Sequence, residues 1–330
     1  MGETLAIAIS NLTSPMVLFF ALGLAAALAR SDLALPEAVA KALALYLMLA
    51  IGFKGGVGVA AHGLDARLIA TLLAGAVLSA VIPLVAFAYL SFVSRLPRAD
   101  RAAVAGHYGS ISIVTLVAAT ETVRSLGLDY EGYLVAVAAV METPAILTAL
   151  WLASRGRDPD RASDDDADSG SLFREIALNG SIVVLVGAFV IGFVTGEKGL
   201  ADISAFIVDP FKGILCLFLL DMGVIAGRGL RAGYRSLTPA VIGFGLTMPL
   251  IGAAIAAPTA WAIGLSAGGT ALLVTLAASA SYIAVPAAMR VALPEARPAI
   301  YLTLSLGVTF PFNLTVGIPL YAAIGQYLSG

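Results

Sequence analysis

A single cysteine, Cys216, among 330 residues rules out a disulfide within the chain. Its place in an apolar run makes it a packing residue rather than a reactive one. Charge is scarce too. Only 12% of the residues are charged, against about 25% in soluble domains, which argues against a water-soluble fold. A net charge of −2 without a basic cluster excludes nucleic acid as a partner and a polybasic surface. Met1 to Pro15 has neither a basic start nor an apolar stretch of usable length. No cleavable leader is therefore expected, and the first span is expected to begin insertion by itself.

What is abundant is apolar. Hydrophobic residues make up 60% of the chain and the mean hydropathy is +0.97. They fall in blocks of about 20 residues, the length needed to cross roughly 30 Å of hydrocarbon. The pattern predicts an all-α membrane protein with ten transmembrane helices, integral to the plasma (inner) membrane. The first five spans are placed at 15–30, 36–54, 66–94, 98–124 and 131–154, and the second five at 172–195, 204–227, 236–264, 267–291 and 297–328. Residues 1–154 and 172–330 thus form two five-span halves. Between them, 155–171 is a polar linker, rich in aspartate and without apolar period, which reads as disordered.

Basic residues favour the cytoplasmic side of a membrane. With the N-terminus outside, inner loops collect Arg30, Lys41, Arg95, Arg98, Arg101, Arg155, Arg157, Arg161, Arg174, Arg228, Arg231, Arg235, Arg290 and Arg297. Outer loops keep only Lys54, Arg67, Arg124, Lys198 and Lys212. Both termini are therefore expected outside and the acidic linker in the cytoplasm.

The halves resemble each other. LYLMLAIGFKGG (45–56) matches LCLFLLDMGVIAG (215–227) with one insertion, VIPLV (81–85) matches TMPLI (247–251), and YLVAVAAVMETP (133–144) matches YLTLSLGVTFP (301–311). Repeats of five spans insert in opposite orientations, and such inverted repeats characterise secondary transporters. In this register the fourth span of each half carries its unusual residues: AGHYGSIS (105–112) and AASASYIAVP (277–286). Small residues of this kind also serve close helix packing, and serine can bond within its own helix. Polar interruptions at corresponding positions of two halves, however, point to a transporter's binding site.

Breaks near Gly109 and around Ser281 would bring two half-helix N-termini together, each with roughly half a positive elementary charge. They would bind an anion through free N–H groups without a buried cation. Ser110, Ser112, Thr115, Ser279 and Ser281 would assist. The carbonyls at the ends of the first half-helices, around Gly106 and Ala278, would face a cation. Glu142 is a carboxylate in mid-span, where charge costs on the order of 3 kcal/mol and is functional by default. With Thr143, Thr309 and Asn313 it would make an all-oxygen site for Na+. A protonated, hydrogen-bonded Glu142 that locks packing is the plainer alternative. Asp221 is a second acid within a span, either a coupling site or a structural partner. His107 would relay protons or simply pack, and Arg290 would snorkel to the interface.

These residues together resemble the sodium-dependent bicarbonate transporter family over nearly the whole chain. The likeness rests on Gly106, Gly109, Ser112 and Thr115, on Met141-Glu142-Thr143-Pro144, and on Ser279, Ser281, Pro286 and Arg290. The chain departs from the family pattern at Ile113-Val114, where a Gly-Ser pair is usual. It departs again at Tyr282 in place of an aspartate, and at Ala287 in place of a second proline. The resemblance implies a homotrimer and an elevator motion of a core domain (spans 3–5 and 8–10) against a gate domain (spans 1, 2, 6 and 7). It also implies a small PII-like regulatory protein on the cytoplasmic face. The expected function is a Na+-coupled symporter for bicarbonate, with Na+ as coupling ion and no other cofactor.

Three alternatives remain at this level. One is a symporter or proton-coupled transporter of another small organic anion, with Tyr282 and Phe310 lining a larger pocket. Another is a passive channel. The third is an intramembrane hydrolase, for which His107 beside Ser110 or Ser112 is the only candidate cluster, and it lacks an orienting third group. The expectation is that the protein is not an enzyme.

Overall fold

The computed structural model describes residues 13–63, 65–155, 180–233, 237–282 and 284–329, and among these the regular elements are all helices. Most of the expected linker and the first twelve residues lie outside the described residues.

Local chemistry sets the helix ends. α1 (Pro15–Leu28) opens with the Ser14 hydroxyl accepting the Val17 N–H and with proline in the first turn. α2 (Glu37–His62) stops at Gly63, whose φ of 81° suits glycine. α3 (Ala66–Val93) begins at Asp65, which accepts the Leu68 N–H at 2.7 Å. α4 (Arg98–Gly109), α5 (Ile113–Ser125), α6 (Leu134–Val140) and α7 (Glu142–Ser154) follow. The second half comprises α8 (Gly180–Ile207), α9 (Phe211–Gly233), α10 (Pro239–Ile263), α11 (Ala267–Ala277) and α12 (Ala284–Ala292). It ends with α13 (Pro298–Ser329), which includes π-helical stretches at Thr303–Thr309 and Asn313–Gly317.

Among the described residues, seven stretches are long and apolar enough to cross a membrane: α2, α3, α4 with α5, α6 with α7, α9, α10 and α13. α1 and α11 are apolar but shorter. Leu73, Val77, Phe92, Val194 and Trp261 stand exposed, as side chains facing lipid do. The chain is an integral membrane protein.

Several expected boundaries shift. The second span continues past Lys54 to His62, because the glycines at 55 and 56 pack against neighbours and stay helical. The span expected at 172–195 runs on through Ile207, with one non-helical residue, Gly196 (φ 59°). The polar run after it resumes the helix. The next span therefore begins at Phe211, after Pro210, rather than at 204.

α1 packs along α9, and α2 along α8. Each contact is a pair of reciprocal glycines. Gly23 lies on the Leu220 carbonyl and Gly223 on that of Phe20; Gly56 lies on the Phe189 carbonyl and Gly192 on that of Phe53. In lipid, helices gain little from exclusion of water, so close backbone contact carries their association. Only hydrogen in place of a side chain permits it here.

Two loop ties hold the fourth-span helices at their outer ends. Buried Asp100, in the first turn of α4, accepts the Arg297 N–H at 2.7 Å and its guanidinium at 2.6 Å. At the start of α11, Ser266 donates its N–H (2.8 Å) and hydroxyl (3.0 Å) to the two oxygens of Glu131. The carboxylates thus sit at the positive ends of the two helices. Held in this way, the stretch Arg98–Ser125 is enclosed by protein, and its most apolar window is 100% buried. That enclosure is what allows irregular backbone at membrane depth.

Candidate ion-binding site

α4 ends where Ser110 donates its N–H to the Gly106 carbonyl at 3.1 Å. Ser110 and Ser112 are then extended, and α5 starts at Ile113. The turn must lie tightly on α3, since a side chain at Gly109 would collide with the Pro83 ring and the Ser79 carbonyl. On the other side, α11 ends at Ala277, residues 278–282 are irregular, and α12 resumes at Ala284.

The two irregular segments cross and bond to each other. Ser112 donates its N–H to the Ser279 hydroxyl oxygen at 2.9 Å. Ser281 donates its N–H to the His107 carbonyl at 2.7 Å. Ser279 passes its own hydrogen to the Leu276 carbonyl at 2.8 Å. Ser281 Oγ lies 3.5 Å from the Val285 nitrogen, over the first turn of α12.

At the start of α5, Ser112 Oγ accepts both the N–H (3.1 Å) and the hydroxyl (2.8 Å) of Thr115. Its own hydrogen is left for another acceptor. The N–H groups of Ile113 and Val114 are the first two of the helix and have no intrahelical partner. A break near Gly109 would free N–H groups from Ser110 onward, but those of Ser110 and Ser112 are already used, so the donors are at Ile113 and Val114.

Glu142 is the first residue of α7, 8% exposed, and its Oε2 accepts the Ser110 hydroxyl at 2.5 Å. Ser110 was expected beside the anion; its hydroxyl is instead committed to this carboxylate. Beside it, the helix ladder is opened by a residue the sequence pattern did not single out. The Ser79 hydroxyl donates to the Met141 carbonyl and accepts the Ala145 N–H at 3.1 Å, so one side chain stands in for a helical hydrogen bond. Pro144, lacking an N–H, cannot bond the Val140 carbonyl. Nothing in the apolar pattern around Ser79 marks this role.

The remaining expected cation ligands are bonded elsewhere. Thr309 accepts the Tyr108 hydroxyl at 2.5 Å and donates to the Gly245 carbonyl at 2.7 Å. Asn313 donates to the Ala278 carbonyl and accepts the Tyr321 hydroxyl, each at 2.9 Å. They brace α11 and α4 rather than facing Glu142. The Gly106 and Ala278 carbonyls, expected free, are engaged by Ser110 and Asn313. Thr143 is half-buried beside Glu142 on α7. Asp221 is buried on α9, and no hydrogen bond joins it to this cluster among the described residues.

His107 stacks on Tyr301 (4.4 Å between centroids), and its Nδ1–H donates to the Ala103 carbonyl at 2.6 Å. Ser110 donates to Glu142 and His107 Nε2 has no hydrogen-bond partner, so among the described residues His107 is bonded to neither Ser110 nor Ser112, the pairs a hydrolase would need. Tyr282 meets Phe310 edge-on at 5.4 Å, and Phe310 meets Phe20 at 5.1 Å. The side chain of Arg290 lies outside the described residues.

Among family models, the one for the Na+-dependent bicarbonate transporter superfamily matches residues 15–326. No curated protein matches the chain.

Proposed function

Because the chain belongs to the Na+-dependent bicarbonate transporter superfamily, we propose that it is a Na+-coupled symporter that imports bicarbonate by alternating access. The observation that carries this reading is the adjacency of two complementary sites. The N–H groups of Ile113 and Val114, with the hydroxyl hydrogens of Ser112 and Ser281, are donors without a fixed cation, suited to a small oxoanion. Two residues before Ser112, Ser110 joins the same turn to the Glu142 carboxylate, an oxygen ligand for Na+. A cation at Glu142 raises the potential at the start of α5, so each ion strengthens binding of the other. Coupled transport follows if the fully loaded protein crosses more readily than the half-loaded one.

The reading extends to architecture. Ten spans in two inverted repeats are supported by the matched glycine contacts of α1 with α9 and α2 with α8, and by the two loop ties at Asp100 and Glu131. The glycine contacts pair Gly56 with Gly223, one helical turn from the match of 45–56 with 215–227. In this arrangement α3 to α7 and α10 to α13 form a core that moves against a gate of α1, α2, α8 and α9, with both termini outside.

Uptake of radiolabelled bicarbonate into proteoliposomes, with and without an inward Na+ gradient, tests the proposal. Accumulation that requires Na+ is expected. Uptake independent of Na+, or none by correctly inserted protein, overturns it.

A further inference from the structure

A cavity lies along α5, between α2 and α9 on one wall and α5, α6 and α11 on the other. Lys54, Leu116, Glu121, Arg124, Tyr130 and Phe211 line it. It reaches from Arg124, in the last turn of α5, to Leu116, one turn past the break. Its inner end is thus close to the N–H groups of Ile113 and Val114.

The charges around it are unbalanced. Glu121 is shared by Lys212 at 2.7 Å and Arg124 at 3.3 Å. Glu131, the other carboxylate on the wall, accepts the Ser266 N–H and hydroxyl and keeps its negative charge, so the three cations Lys54, Arg124 and Lys212 are set against two carboxylates. Arg124 also donates to the Tyr130 hydroxyl at 2.8 Å. Lys54 has no carboxylate within ion-pair distance among the described residues; its Nζ rests 4.2 Å from the centroid of the Phe211 ring. Lys54 is also well inside the span Glu37–Ala61. An ammonium inside a span is costly, and such residues face water-filled cavities and mark ion pathways. An aromatic face holds a cation without neutralising it, so its charge remains available.

We infer that this cavity is a second anion subsite, an entry vestibule in which Lys54 binds a small oxoanion before it reaches the start of α5. The inference rests on the proposed direction of function but not on the identity of the transported anion. Lys54 reaches across from α2 on a flexible stem, and its contact with Phe211 is readily exchanged for one with a ligand. Cavity walls of low dielectric focus the field of the surplus cation and raise the local anion concentration.

Two measurements test it. In proteoliposomes active in Na+-dependent uptake, Lys54→Met is expected to raise the anion KM roughly five- to tenfold at low ionic strength. The maximal rate should stay within about twofold, and the difference should shrink in high salt. Lys54→Arg should restore most of the loss. An unchanged KM overturns the subsite and leaves the symport proposal standing.

The second measurement does not need transport. In a Cys216→Ala background, Thr120→Cys places a thiol on the cavity wall. A sulfonate-bearing thiosulfonate should label it about fivefold faster than a trimethylammonium-bearing one. Bicarbonate should slow the labelling, and adding Lys54→Met should abolish the preference. Equal rates with Lys54 present overturn the subsite. Should the wild-type protein fail to move bicarbonate, the symport proposal falls and this labelling result alone decides the vestibule.

Discussion

Exchanging Glu142 for glutamine is expected to abolish Na+-driven accumulation while the protein remains folded. The carboxylate is buried and has the Ser110 hydroxyl as a hydrogen-bond partner. The amide is close in size and can still accept that hydrogen bond, but it supplies no charge to a cation. A hydrogen bond to a charged group contributes about 1.5–3 kcal/mol, so Ser110→Ala should be milder. Loss of the hydroxyl should change the half-saturating Na+ concentration while accumulation persists, because the charge on Glu142 remains. Initial rates of uptake against Na+ concentration separate the two variants. The outcome is diagnostic: if Glu142→Gln still accumulates anion with wild-type Na+ dependence, Glu142 is a packing residue and the cation binds elsewhere.

A second large effect is expected where helices touch through glycine. Gly187 and Gly192 are little more than one turn apart on α8, but they differ in surroundings. A methyl group at Gly187 would meet nothing within 4 Å. At Gly192 it would overlap the Phe53 carbonyl of α2. In a helix interior, alanine is favoured over glycine by about 0.5–1 kcal/mol, so Gly187→Ala should be neutral to stabilising. Gly192→Ala should cost about 1–3 kcal/mol, because the α2–α8 pair must separate to admit the methyl group. The thermal midpoint in detergent should therefore fall for Gly192→Ala and hold or rise for Gly187→Ala. A common shift would mean that helix propensity, not interhelical contact, governs this surface.

The features legible beforehand are those that interrupt an otherwise uniform signal. Gly109 to Ser112 and Ser279 to Ser281 stand out because polar and small residues are rare within apolar runs, and the helices end there. Glu142 is conspicuous for the same reason. What composition does not reveal is which distant group a polar atom meets. Ser110 turns to Glu142, Thr309 to Tyr108 and Asn313 to Ala278, across separations of 32, 201 and 35 residues. Ser79 looks like any serine in an apolar helix until its partners on α7 are seen. The run past Lys54 reads as the end of a span because its charge and glycines weaken the hydropathy. Packing against α8 and the Phe211 ring keeps it helical. Asp100 and Glu131, each beside a helix start, resemble ordinary loop acids until their partners close the two ties.

The start of α5 has one further consequence. Its donors at Ile113 and Val114 belong to the main chain, and every residue but proline supplies the same hydrogen there. If they bind the anion as proposed, a side-chain scan by alanine would pass over both positions without touching the atoms that hold it. By the same reasoning, Ile-Val at these positions, in place of the Gly-Ser pair that the resemblance leads one to expect, costs one hydroxyl and no main-chain N–H group. Recognition located in the backbone would be inherited through the shape of the turn. The letters at these two positions can drift while the chemistry persists.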